Sequence, residues 1–174
     1  MDNIALIIHV TGAAVLVGPQ VLLFLAVIPS TKLIPDEALR REVTKLVTMR
    51  FGIISVVALV ALLVTGLYQF YNVTPDVITE DINAFRYGRI FMTKMTLFIV
   101  LVGLLVTHGA IIGPRIGRAA DAVAAGEGGA EAVTALEGQR RRSMWISGAL
   151  LLVSLAVLFL GVTLGNAEYS YVGV

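Results

Sequence analysis

Four apolar runs decide what this chain can fold into. They cover residues 4–28, 51–70, 90–112 and 144–164, and each is long enough to cross a hydrocarbon layer about 30 Å thick as a helix. Inside that layer backbone N–H and C=O groups find no water, so each span must satisfy its own backbone as a helix. The expectation is an all-α integral membrane protein, a four-helix bundle formed as a single transmembrane domain over residues 1–174. Composition agrees: 57% of residues are hydrophobic and 14% charged, against about 25% charged in a soluble domain.

The lipid bilayer is therefore the first partner. A net charge of +1 gives no reason to expect nucleic acid. There is no cysteine, which removes disulfides, cysteine-ligated zinc, iron–sulfur clusters and thiolate catalysis. The spans contain no Asp or Glu, so a proton pump or cation channel built on buried carboxylates is disfavoured.

The connecting segments set the orientation. The first and third hold Lys32, Arg40, Arg41, Lys45, Arg50, Arg115, Arg118, Arg140, Arg141 and Arg142. The opposite side has only Arg86, Arg89 and Lys94. By the positive-inside rule the two basic loops face the cytoplasm and both termini face outward, to the periplasmic side of an inner membrane. The first run is too long for a signal-peptide core and reads as a retained helix, kinked at Gly18-Pro19 and ended at Pro29. Pro35-Asp36-Glu37 looks like a helix start, followed by the apolar stripe Leu39, Val43, Leu46 and Val47. This predicts a cytoplasmic interfacial helix between spans one and two, or a helix packed on the bundle end. The long third connector reads as two short helices broken at Gly126-Glu127-Gly128-Gly129. Tyr68, Phe70 and Tyr71 form an aromatic belt, and Tyr169 and Tyr171 reach the interface. Gly12, Gly66, Gly103, Gly109, Gly148 and Gly161 are expected at helix–helix contacts.

The third run carries the unusual residues. Positions 94, 98, 101, 105 and 108 follow the helical period, so Lys94 and His108 share one face, about 21 Å apart along the axis. Ionisable groups at such depths normally face a bundle interior, a partner or water. His9 and Lys94 each lie roughly 6–8 Å below the outer boundary of parallel spans, whereas His108 is near the cytoplasmic end. His9 and His108 are thus ~20 Å apart along the membrane normal and cannot ligate one haem iron within one subunit. His9 and Lys94 can share a centre, with Met92, Met95, Tyr68 and Gln69 in the same layer. His9 with Met92 and Met95 would instead suit Cu(I). Each residue also has a structural reading. His9 can be hydrogen-bonded to a neighbouring helix, Lys94 can snorkel to headgroups and the methionines can be apolar filler. His108 lies at the depth of Gln20, Arg50 and Thr107, and can bind a second cofactor, relay protons or cap the bundle.

The first run, IIHVTGAAVLVGPQVLLFLAVIP, and the third, FMTKMTLFIVLVGLLVTHG, resemble small four-helix membrane families. These are the CopD-like copper-resistance proteins, related uncharacterised membrane proteins and the HemJ-type protoporphyrinogen oxidases. The resemblance rests on His9, Gly12 and Gly18 in the first span and on the lysine-started third span. In HemJ-type proteins the corresponding histidine and lysine are the proposed haem b ligands, which implies His9 and Lys94 here. The leading expectation is a haem-b-binding redox or electron-transfer protein. It would serve a quinone or a redox partner protein, as a homo-oligomer or a subunit of a larger complex. Its cofactor-binding residues would be His9, Lys94 and His108, with His9 and Lys94 on the iron. The alternatives are copper handling through His9, Met92 and Met95, and a cofactor-free accessory subunit.

Overall fold

The computed structural model describes residues 2–173. Four helices are long and apolar enough to cross a membrane: Asn3–Leu33, Ala38–Asn72, Arg86–Ala124 and Gly129–Gly165. They are referred to below as spans one to four. Span one packs antiparallel on span two and span three on span four, and the two pairs meet through spans one and four. A core at mid-depth takes one or more residues from every span: Leu16, Ala58, Leu59, Leu101 and Leu150. Most remaining large apolar side chains are exposed on the outside, as lipid contact requires.

The spans are longer than the apolar runs because the helices continue into water. The 36-residue helix Glu37–Asn72 is about 54 Å long, well beyond the hydrocarbon thickness. Its first turns are the helix expected in the first loop, here continuous with the second span rather than a separate element. Asp36 starts it, its carboxylate accepting from the backbone N–H of Ala38 (2.8 Å) and Leu39 (3.2 Å). The third connector is likewise two helical extensions, Gly113–Ala124 and the beginning of Gly129–Gly165. They are separated by a turn with positive φ at Gly126, Gly128 and Gly129, a backbone that only glycine adopts readily. Arg41 forms an ion pair with Asp121, joining the two extended regions at the basic end.

The α-helix Asp2–Leu22 continues through Pro19. Pro29 does not end the span as expected. A π-helical turn, Leu23–Val27, precedes it, with the N–H of Ile28 bonded to the carbonyl of Leu23. Span three does the same before Pro114: Thr107–Ile112 is a π turn, and Gly113 donates to the carbonyl of His108. Proline clashes with the carbonyl four residues back and cannot donate to it. In both spans the residue before the proline closes the wider π ring, and the chain continues as helix.

At the other end an aromatic cluster ties the connector and tail to the bundle. Phe70 stacks on Phe91 with ring centres 4.6 Å apart, and Tyr87 lies beside both. Tyr171 meets Tyr87 edge-on, and Arg86 covers the Tyr169 ring. The tail therefore folds back on span three, where the N–H of Arg86 also bonds to the carbonyl of Val172.

Candidate metal centre

The face read from positions 94, 98, 101 and 105 is an interior face. Leu101 is 1% exposed, and Phe98 and Leu105 pack against the core. His108 belongs to the same span, but the π turn shifts the helical phase where it sits.

His9 is half-buried and turned toward span two. Its Nδ1 lies 2.8 Å from Thr65 Oγ1. Thr65 Oγ1 in turn donates its one proton to the carbonyl of Ala61, 2.6 Å away. The hydroxyl is left as an acceptor, so Nδ1 carries the ring proton and donates it. With the proton of the neutral ring on Nδ1, the free lone pair is on Nε2. This is how a metal-binding histidine is usually prepared: one nitrogen is tied to an acceptor while the other is presented as a base. Gly66 makes room for the ring, because a Cβ there would stand 3.2 Å from His9 Cε1.

Lys94 is also half-buried and is seated on span four. A Cβ at Gly161 would lie 3.4 Å from its Nζ. Gly161 thus accommodates the amine as Gly66 accommodates the imidazole. The helix registers give the depth. Gln20 of span one meets Ser154 of span four, and Lys94 meets Gly161 about seven residues further out. His9 is about eleven residues out from Gln20, so His9 and Lys94 lie within roughly one helical turn of each other in depth. The two residues thus lie at similar depth, each packed against the second helix of its own pair.

The rest of that layer is assembled only in part. Met92 is 58% exposed on the outside of the bundle, so the trio His9, Met92 and Met95 does not converge. Met95 is half-buried. Gln69 brings a buried Nε2 with no hydrogen-bond partner. Among the described residues no group of three or more His, Cys, Asp or Glu side chains is placed to hold a metal ion.

His108 stands apart. Its Nδ1 is buried without a partner inside the π turn. Gln20, expected at its depth, instead accepts from Ser154 Oγ through Oε1 at 2.7 Å. Gln20 (8% exposed) and Ser154 (2%) are both buried. Ser55 is 0% exposed, and its hydroxyl has no partner. The sequence reading missed this central polar layer, although Ser55 and Ser154 interrupt otherwise apolar stretches. Of the six glycines expected at helix contacts, Gly12 packs against Leu62 and Gly148 against Phe24, while Gly66 and Gly161 face His9 and Lys94. Gly103 and Gly109 meet nothing within 4 Å.

Comparison with curated proteins and with solved structures returns no match. A family description does match: copper resistance protein D, CopD, over residues 45–164. The match holds Thr65, Gly66, Lys94, His108 and Gly161, and begins after His9. It covers just over two thirds of the chain, and with four apolar spans in one helical bundle it settles the family. This chain belongs to the copper resistance protein D family.

Proposed function

We propose that this protein handles copper at the membrane, with Cu(I) as its cargo and His9 Nε2 as the nitrogen donor that receives it. The observation that carries the reading is the His9–Thr65–Ala61 hydrogen-bond chain, which leaves Nε2 unprotonated in the half of the bundle near the termini. Imidazole and thioether are suitable ligands for Cu(I). Met95, half-buried one position after Lys94, is the thioether nearest the layer; Met92 is not offered to it. With so few donors the site suits a transferred ion better than a permanently held one. Family membership favours this reading over the haem one. The loop charges support a site in the outward half of an inner-membrane protein.

Lys94 gives the site a second property. An ammonium beside His9 repels a bound cation, whereas a neutral amine can ligate it. Copper arriving at His9 therefore favours loss of the Lys94 proton, and reprotonation favours release.

Haem b remains the second reading, because His9 and Lys94 lie at similar depth. Their placement fits it less well: the imidazole packs on Gly66 and the amine on Gly161, each against a different neighbouring helix. Metal analysis and an absorption spectrum of the purified protein separate the two. The copper reading expects a colourless protein that takes up about one Cu(I) and loses it in His9→Ala. A Soret band that disappears in His9→Ala would replace copper with haem. A protein that binds neither would be an accessory subunit.

A further inference from the structure

We propose that the basic end of the bundle carries a binding site for one anionic phospholipid, between the extensions of spans three and four. A cavity of about 240 Å³ opens there, lined by Ile112, Arg115, Ile116, Gln139, Arg142 and Ile146. Its walls are three half-buried isoleucines and the apolar stems of three exposed residues, Arg115, Gln139 and Arg142. Among the described residues neither arginine is paired with a carboxylate, whereas Arg41 nearby is paired with Asp121. Among the described residues the charge of both arginines is therefore without a carboxylate partner.

Depth identifies the occupant. Trp145, one turn from Arg142, is 70% exposed, and an indole with this exposure on a membrane span marks the headgroup level. The cavity lies where a phosphodiester sits, with its apolar walls toward the acyl chains. Guanidinium forks bind phosphate oxygens in pairs. The Gln139 amide can hydrogen-bond a headgroup hydroxyl, and Ile112, Ile116 and Ile146 can cover the glycerol and first methylenes. Basic pockets between spans at this level are a recurring way to hold anionic headgroups. A zwitterionic lipid would bring its own cation against the two arginines and be disfavoured.

The test is native mass spectrometry of the full chain, offered equimolar phosphatidylglycerol and phosphatidylcholine. The wild type should retain phosphatidylglycerol about 25-fold better, about fivefold for each arginine. Arg115→Gln with Arg142→Gln should bring the ratio close to one. Arg118→Gln with Arg141→Gln removes the same charge outside the cavity and should leave the preference in place. A hundredfold excess of glycerol phosphate should not displace the lipid, because it lacks the acyl contacts. Equal retention of both lipids by the wild type would overturn the site, as would equal losses in the two double variants. Full displacement by glycerol phosphate would make it a soluble-phosphate site and overturn the lipid assignment.

Discussion

His9 and Thr65 are joined across the first two spans by a 2.8 Å hydrogen bond, and that bond determines which imidazole nitrogen is available to a metal. Thr65 is itself anchored to Ala61, so the acceptor is fixed on the helix and the ring orientation follows from it.

Thr65→Val keeps the side-chain shape and removes the acceptor. Cu(I) affinity should fall by about 10- to 100-fold, the usual loss when the outer partner of a ligating histidine is removed. Thr65→Ser should retain most of it. Competition with a chromogenic Cu(I) chelator measures both, and an unchanged affinity in the valine variant would separate the hydrogen bond from the site.

Lys94→Met exchanges a cation for a soft thioether in the layer of His9. Removing one nearby like charge should strengthen Cu(I) binding by roughly tenfold at neutral pH. Proton release on copper binding, followed in weakly buffered solution, should disappear. If that variant binds copper more weakly, Lys94 is a ligand rather than a repelling neighbour.

The buried hydroxyls of spans two and four should respond differently. Ser154→Ala leaves the Gln20 carbonyl without its donor and should cost about 1 kcal/mol, within the range of polar contacts in membrane proteins. Ser55→Ala removes a hydroxyl that has no partner and should be neutral within about 0.5 kcal/mol, or stabilising. Unfolding in mixed micelles compares the two, and equal losses would show that Ser55 is bonded after all.

Gly88 lies at the start of span three against the connector. A Cβ there would run into the Ile82 carbonyl, which is backbone and cannot rotate aside. Gly88→Ala should lower the unfolding temperature by several degrees, as steric overlap in a packed site costs about 1–3 kcal/mol. Copper affinity should be nearly unchanged, since Gly88 packs against Ile82 and not against His9. A variant as stable as the wild type would show that the connector can move.

The spans themselves are legible in the sequence because hydrocarbon demands long apolar runs, and nothing else in the chain resembles them. Their ends are less legible. Helices leave the membrane without stopping, and prolines 29 and 114 are absorbed by π turns that depend on a backbone ladder and not on residue type. The shared layer of His9 and Lys94 follows from counting residues inward. Their partners do not, because Thr65, Gly66 and Gly161 become neighbours only once span one pairs with two and three with four. The same pairing turns Met92 to the outside and gives Gln20 to Ser154 rather than to the layer of His108.

The chain has only two histidines, so nitrogen NMR of the protein labelled at histidine addresses the metal centre with almost no overlap. His108→Ala assigns the signals. His9 should carry a proton on Nδ1 and none on Nε2 before copper is added, and the shift on binding one equivalent of Cu(I) should be confined mainly to Nε2. A proton found on Nε2, or a spectrum that Cu(I) leaves unchanged, would contradict the copper site proposed at His9.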